Sequence, residues 1–339
     1  MPANGTATRP DPTLIVDLAS AFYGSCVLFT SSDLGVYSKL AELGTADAAT
    51  LAQAMGTDVR ATTLLLDACV ALGLLTKTGN TYRNTPSSAA FLVPGQPGDL
   101  SRAIRFNRDV YDAWGKLPEL VSKGVPVEKP ELHLGEDLER TRTFVLSMHG
   151  RAMGIGRAVV AQLNLKGRKR MLDIGGGPGT YSSLIVQANR GLKSTVLDLP
   201  GVVAVATELL AQAGVSDRVA TLPGDYHTTP FPAGNDVVII FGVLHQESPK
   251  SICDILKRAF DSLTPGGTIY MLDLMTDATH TAPVFSALFA VNMALIARDG
   301  WVFSAAELKT WLEQAGFTGF EVSPLHPPMP HWLVQARKP

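Results

Sequence analysis

The sequence predicts an α/β protein in two parts, a small helical unit followed by a sheet with helices on both faces. Two observations carry that expectation. From Gly167 onward, short apolar runs alternate with amphipathic stretches. Strands are expected near 170–174, 194–198, 218–222, 236–241, 268–273, 317–322 and 331–336, with helices near 180–190, 201–213, 249–263 and 304–315. Such alternation builds a mostly parallel, seven-stranded sheet. The second observation is the stretch Met171–Leu199, in which strand, glycine turn, helix and acid-ending strand follow one another. That order makes the sheet Rossmann-like and nucleotide-binding. The expected division is 1–100, 101–165 and 166–339.

Residues 13–43 read as helix, because Leu14, Leu18, Ala21, Phe22, Val27 and Leu28 recur at helical spacings. Phe22, Tyr23 and Phe29 widen the apolar surface beyond one stripe, which suits burial against a second copy or against the chain's own domain. Thr45 and Asp47 are placed to cap one helix and Asp58 a longer one, which Gly73 stops. Leu74–Thr76 and Thr81–Arg83 read as two short strands around Gly79-Asn80. Helices with a small β wing make this all-helical core winged-helix-like. DNA binding needs a positive surface. Asp33–Thr85 carries four basic and five acidic residues, so the module is expected to serve dimerisation and not nucleic acid.

Pro86–Leu100 reads as a loop, 101–120 as helix with Phe106, Tyr111 and Trp114, and about Glu136 to Leu163 as a long linking helix through Phe144, Met148 and Met153. An apolar insertion at 282–298 is an extra helix that could cover the carboxyl edge of the sheet, where such folds bind ligands. The 339 residues are 46% hydrophobic and 18% charged, with formal net charge −2, so no global field invites nucleic acid or an anionic membrane. Cys26, Cys69 and Cys253 are far apart and suggest neither a disulfide framework nor a zinc site; no metal is expected. The start of the sequence lacks a signal pattern, and Val284–Ala297 is too short to span a bilayer; a cytoplasmic protein is the expectation.

The glycine turn Gly175-Gly176-Gly177-Pro178-Gly179 lets the backbone bend and approach a ligand closely, and the helix behind it points free N–H groups back at the turn. Asp198 closes the next strand and can accept hydrogen bonds from both hydroxyls of a ribose. A dinucleotide fingerprint needs glycine or alanine at position 180, which is Thr180. The spacing from Asp173 to Gly179 is Asp-x-Gly-x-Gly-x-Gly instead and looks like the first motif of class I S-adenosylmethionine-dependent methyltransferases. The third strand ends in Gly224-Asp225-Tyr226, where Asp225 can accept an adenine amino hydrogen and Tyr226 can lie along the base. The fourth delivers His245, where a neutral imidazole can take a proton from a hydroxyl as its oxygen attacks a methyl group. A surface histidine capping the turn before Pro249 is the plainer alternative.

LDIGGGPGTYS, LDLPGV, GDYH, VLHQ, SLTPGG and the closing Glu307-Leu308 to Ala315-Gly316-Phe317 together resemble the small-molecule O-methyltransferases, the group of caffeic acid O-methyltransferase and bacterial natural-product methyltransferases. The resemblance implies a homodimer and S-adenosylmethionine as cofactor, with S-adenosylhomocysteine as product. It implies Asp173, Gly175, Gly177, Asp198, Leu199, Gly224, Asp225, Tyr226 and Phe241 at the cofactor. Phe106, Trp114, Met148, Asn292 and Met293 would stand around a small, largely apolar and aromatic acceptor. His245 matches the general base, and Asp273 the acid that orients it, one methylene shorter than the usual glutamate. Three further departures stand out: Gln246-Glu247 replaces Asp-Trp, Val302 stands where a second orienting glutamate is usual, and Phe241 replaces a lysine. The altered surround leaves a C-methyltransferase acting on a carbon nucleophile, or a silent S-adenosylmethionine-binding dimer, as alternatives.

Overall fold

The computed structural model describes residues 10–96, 98–128, 137–327 and 329–339. The chain divides into two compact units between Arg105 and Phe106. The first holds α1 (Thr13–Ser20), α2 (Phe22–Asp33), α3 (Val36–Leu43), β1 (Ala46–Asp47), α4 (Ala48–Met55), α5 (Val59–Ala71), β2 (Leu75–Thr78), β3 (Thr81–Asn84) and α6 (Pro86–Phe91). The helix expected over 13–43 is thus three helices, the last break falling at Gly35, whose left-handed φ of 73° ends α2 and opens α3. Asp47 caps α4 by accepting from the Thr50 N–H at 2.8 Å, and Asp58 caps α5 from Ala61 at 2.7 Å. Each cap contributes about 1 kcal/mol. The wing gains a third strand, in the order β1-β3-β2. The loop expected over Pro86–Leu100 begins instead as α6, with Thr85 capping Ser88 and proline at the helix start.

The second unit follows α7 (Ser101–Asp109), which crosses the division. It comprises α8 (Tyr111–Trp114), α9 (Leu117–Lys123), α10 (Leu138–Val160), β4 (Arg170–Ile174), α11 (Thr180–Ala188), β5 (Lys193–Asp198), α12 (Pro200–Gln212), β6 (Val219–Pro223), β7 (Asn235–Phe241), α13 (Pro249–Ser262), β8 (Leu263–Asp273), α14 (Val284–Ile296), α15 (Ala305–Ala315), β9 (Thr318–Pro324) and β10 (Trp332–Arg337). The helix expected over 101–120 is three short ones.

Seven strands form one sheet in the order β6-β5-β4-β7-β8-β10-β9. β6, β5, β4, β7 and β8 run parallel, and β10 pairs antiparallel with β8 and β9. β7 lies at the centre and shows why its sequence is continuously apolar. Val238 and Ile240 pack toward α13 and α15 with Ile252, Leu256, Leu308 and Leu312. Val237, Ile239 and Phe241 pack toward α10 and α11 with Val159 and Ile185. Burial on both faces removes the alternation a half-exposed strand would show, and each such side chain contributes roughly 1.5–3 kcal/mol.

Candidate active site

The carboxyl ends of the five parallel strands gather most of the residues singled out from the sequence. β4 ends in Asp173-Ile174 and enters the glycine turn, where Gly175 and Gly177 have φ of 63° and 54°. A Cβ on Gly175 would stand 2.7 Å from Val243, whereas one on Gly177 would meet nothing within 4 Å. The turn therefore needs both glycines for its bend, but only Gly177 leaves open space for a ligand to approach. Asp173 is buried and accepts from the Ser182 hydroxyl at 2.6 Å, tying the turn to α11.

Asp198 ends β5 and accepts from the Gly177 N–H and the Leu199 N–H, both at 2.7 Å. Each carboxylate oxygen keeps a lone pair for a ribose hydroxyl. Burial raises the Asp173 pKa to about 7, with the neighbouring Asp198 charge adding to it, and raises that of Asp198 to about 6. Two crowded acids beside an open glycine turn favour a cationic ligand over a pyrophosphate, which fits S-adenosylmethionine.

Gly224 packs so closely on Thr229 that a Cβ there would stand 2.2 Å from its hydroxyl, and its N–H donates to the Asp198 carbonyl at 2.9 Å. Asp225 accepts from the His227 N–H at 2.8 Å. Tyr226 is half-buried, and its phenol donates to Glu247 at 2.5 Å. Glu247 also accepts from Ser251 at 2.5 Å, and its carbonyl accepts the Trp301 indole N–H at 2.8 Å. The sequence alone gives Glu247 no role, yet it fixes the Tyr226 ring beyond the end of β6. Phe241, at the end of β7, meets Tyr181 edge to face at 5.0 Å between ring centres.

After Phe241 the chain turns through Gly242 into a single 3₁₀ turn, Leu244–Gln246, which presents His245. The His245 Nδ1 lies 2.6 Å from the Asp273 Oδ1 at the end of β8, with side chains 14% and 3% exposed. The shorter aspartate thus reaches the imidazole directly. Among the described residues it is the one acid bonded to His245; Val302 is buried and apolar, as its sequence says. The Leu274 N–H donates to the same Oδ1 at 2.8 Å, and the Trp301 N–H donates to the His245 carbonyl at 2.9 Å. With Nδ1–H turned to the carboxylate, Nε2 carries the free lone pair.

Phe289 of α14 stands edge-on to the His245 ring at 5.3 Å. It belongs to an apolar cluster with Trp114, Phe144, Met148 and Met293. Asn292 accepts the Trp114 indole N–H at 2.9 Å. Four of the five residues expected around the acceptor therefore meet here; the side chain of Phe106 lies outside the described residues. Among the described residues no three His, Cys, Asp or Glu side chains form a metal-holding group. His331 stands one residue before Trp332, which pairs across the sheet with Asp273, and comes within electrostatic reach of Asp273 and His245.

The profile of the O-methyltransferase domain matches residues 128–318, and that of the O-methyltransferase dimerisation domain matches 16–94. The 3-hydroxy-5-methyl-1-naphthoate 3-O-methyltransferase of Streptomyces sahachiroi is 33% identical over 92% of both chains. The tetracenomycin polyketide synthesis 8-O-methyl transferase TcmO of Streptomyces glaucescens is 30% identical over 97% of both. The structure of human N-acetylserotonin methyltransferase in complex with S-adenosylmethionine superposes with a TM-score of 0.87 at 28% identity, covering 98% of this chain and 99% of that one. With the domain profile spanning more than half of the chain, and a glycine turn, a buried acid ending β5 and a histidine–aspartate pair at one sheet edge, this protein belongs to the S-adenosylmethionine-dependent O-methyltransferases.

Proposed function

We propose that His245 takes the proton from a hydroxyl of a small, largely apolar, aromatic acceptor as that oxygen receives the methyl group. The observation that carries this reading is the 2.6 Å contact of His245 with Asp273 beside the aromatic wall of Phe289. When bound, S-adenosylmethionine supplies a methyl group on a positively charged sulfur and leaves as S-adenosylhomocysteine. Gly175, Gly177 and the buried Asp173 would shape the turn that receives its methionine end; Asp198 and Leu199 would hold the ribose, and Gly224, Asp225, Tyr226 and Phe241 the adenosine. Trp114, Met148, Asn292 and Met293 would orient the acceptor with its oxygen toward the methyl group to be transferred. Asp273 holds His245 in the tautomer that leaves Nε2 free and steadies the imidazolium that forms. The naphthoate and polyketide acceptors named for two relatives support an aromatic acceptor.

Residues 101–165 contribute acceptor-side helices on this reading, 166–339 the cofactor side, and 1–100 the contact with a second copy. Leu14, Ile15, Val16, Leu18, Phe22 and Tyr23 are exposed on α1 and α2, and the dimerisation profile covers most of them. The stretch Thr13–Asp33 is long and apolar enough to cross a membrane by length and composition. Pairing of two copies covers the same surface without a bilayer, in a cytoplasmic enzyme whose three cysteines are unbridged. The test is methyl transfer to a panel of phenols and naphthols, with the methylated atom identified by NMR. His245→Ala lowers turnover roughly 10²–10⁴-fold while S-adenosylhomocysteine affinity stays within about twofold; unchanged turnover removes His245 from this role. Light scattering after deletion of residues 1–33 tests the pairing: a dimer that persists overturns it.

A further inference from the structure

Glu247 makes more contacts than a residue leaving the histidine turn requires. Its side chain is 9% exposed, and both carboxylate oxygens accept: Oε1 from the Tyr226 phenol and Oε2 from the Ser251 hydroxyl, each at 2.5 Å. Its main chain is held from another side. The Trp301 indole N–H donates to the Glu247 carbonyl at 2.8 Å, and the Trp301 main-chain N–H donates to the His245 carbonyl at 2.9 Å. The Tyr226 ring in turn reaches the glycine turn. A Cβ on Gly175 would stand 3.7 Å from the Tyr226 Cε1 and 2.7 Å from Val243, the residue that leads into the His245 turn. Arg258 already fixes the main chain of the Tyr226 loop, donating to the carbonyls of Tyr226 at 2.6 Å, His227 at 2.9 Å and Thr229 at 2.5 Å. What Glu247 adds is the aim of the Tyr226 ring. Burial first, then the Glu247 charge, raise the pKa of the phenol, so it stays a donor at neutral pH. The His227 Nε2 lies 3.3 Å from the same Oε1, but that side chain is 45% exposed, and water weakens the contact.

We propose that Glu247 is a positioning residue that makes the aim of His245 depend on cofactor occupancy, through Tyr226 on one side and Trp301 on the other. The inference rests on the reading that His245 takes the acceptor's proton. A carboxylate held by two short charge-assisted bonds is a stiff link. It also lies at the start of α13, where the helix dipole favours its charge. The Tyr226 ring packs on the glycine turn, so a ligand filling that turn takes away the ring's remaining freedom, and the carboxylate passes the order on. The residue it orders lies two places after His245, and Trp301 clamps both carbonyls. The same device gives a purpose to two departures in the sequence. Glutamate stands after Gln246, and Trp301 stands beside Val302, where a second orienting acid is missing. With Asp273 as the one acid bonded to the imidazole among the described residues, a rigid turn does what the second acid would do.

The test compares Glu247→Gln, Glu247→Leu and Tyr226→Phe with the wild-type protein, with His227→Gln as control. NMR of the His245 imidazole, assigned by its loss in His245→Ala, is recorded with and without saturating S-adenosylhomocysteine. Direct contact with that ligand contributes equally in every protein, so differences between proteins read the link. The ligand shifts the His245 signal in the wild-type protein, and the shift falls by about half or more in Glu247→Leu and Tyr226→Phe. Turnover is measured on a naphthol and on a nitrophenol already ionised at the assay pH. Glu247→Leu lowers kcat about 10- to 100-fold on the naphthol but less than about threefold on the nitrophenol, which needs no base. Glu247→Gln recovers most of the loss, because its amide can still bond both hydroxyls. His227→Gln behaves as wild type. Should Glu247→Leu fail to fold, Tyr226→Phe carries the same comparison. An equal His245 shift in the wild-type protein and the variants overturns the proposal, whatever happens to melting. Equal kcat losses on both acceptors overturn it too, leaving Glu247 a merely structural role. If the shift is coupled as expected but His245→Ala keeps wild-type kcat, the link stands and the proton-removal reading falls. If His245→Ala is slow and the shift is uncoupled, the reverse holds.

Discussion

Replacing Asp273 by asparagine separates the charge of the dyad from its geometry. The Asp273 Oδ1 accepts two N–H donors, His245 Nδ1 at 2.6 Å and Leu274 N at 2.8 Å. An amide NH2 at that point would face two donors, so asparagine turns its carbonyl there and its NH2 toward the position of Oδ2. The tautomer and tilt of His245 are then retained, and only the negative charge is lost. A hydrogen bond to a charged group contributes about 1.5–3 kcal/mol, and roughly half of that remains when the acceptor is neutral. Lost attraction for the imidazolium adds to the deficit, with about 4 kcal/mol as an upper bound for charges about 4 Å apart at an effective dielectric constant of about 20. A net loss of about 1.5–3 kcal/mol, at about 1.4 kcal/mol per decade, lowers kcat roughly 10- to 100-fold. Asp273→Leu removes the acceptor entirely, frees the tautomer and strands the Leu274 N–H; it approaches the full 10²–10⁴-fold expected for loss of a general base. The assay is kcat against pH on a phenol acceptor, with thermal melting to show that each variant is folded. Both deficits narrow toward pH of about 10, where a phenol ionises without help. Asparagine as damaging as leucine would refute the geometric argument, and wild-type kcat in both would refute the dyad.

The cofactor side gives a pH-dependent outcome. Folding raises the Asp173 pKa to about 7 and that of Asp198 to about 6 from an ordinary 3.8, so the folded apoprotein holds protons that the unfolded chain has released. Their contribution to stability is therefore largest below pH of about 4 and is lost as pH rises through about 7. A bound cation favours the ionised acids, so S-adenosylmethionine binds more tightly and releases protons between pH of about 5.5 and 7.5. Calorimetry in buffers of different ionisation enthalpy reads this, and the neutral sulfur of S-adenosylhomocysteine gives a smaller dependence; tighter binding at low pH contradicts it. Gly177→Ala costs only the left-handed strain of about 1–2 kcal/mol in stability, yet fills the open side of the turn, so cofactor affinity falls more than melting does. Gly175→Ala adds a 2.7 Å contact with Val243 and lowers both; equal melting losses would show that the contact relaxes. Asn292→Leu leaves the Trp114 indole N–H without its acceptor, a cost of about 1–3 kcal/mol that raises acceptor KM and spares S-adenosylhomocysteine affinity, read by kinetics and calorimetry.

Much of the sheet was legible because its signals are local. Asp173–Gly179 fixes a strand, a turn and a helix start within a few residues, and Ser304 with Glu307 marks the beginning of α15 by a capping box. The helices near the start were harder. Apolar residues stand all round α2, so periodicity alone does not show where it yields to α3. Thr85-Pro86, which starts α6, is a short local cue that the surrounding prolines and glycines obscured. The site was legible where one strand end carries one residue, as at Asp198, His245 and Asp273. It was not legible where the partner arrives from afar. Glu247 acquires its place from Tyr226, on the preceding strand's loop, and His331 from the antiparallel pairing of β10 with β8. Neither distance along the chain nor residue type announces such meetings.

The insertion of β10 between β8 and β9 bears on synthesis. It is the last strand of the sheet to leave the ribosome, yet it occupies an interior place. Until residues 332–337 emerge, the flank of β8 that carries Asp273 presents open backbone N–H and C=O groups, and β9 has no neighbour in this sheet. The nascent chain therefore passes through a stage in which the dyad's supporting strand is sticky and unsealed, a stage suited to chaperone capture. Stalling translation a few codons before this strand leaves every motif of the sequence in place on a sheet that is not yet shut.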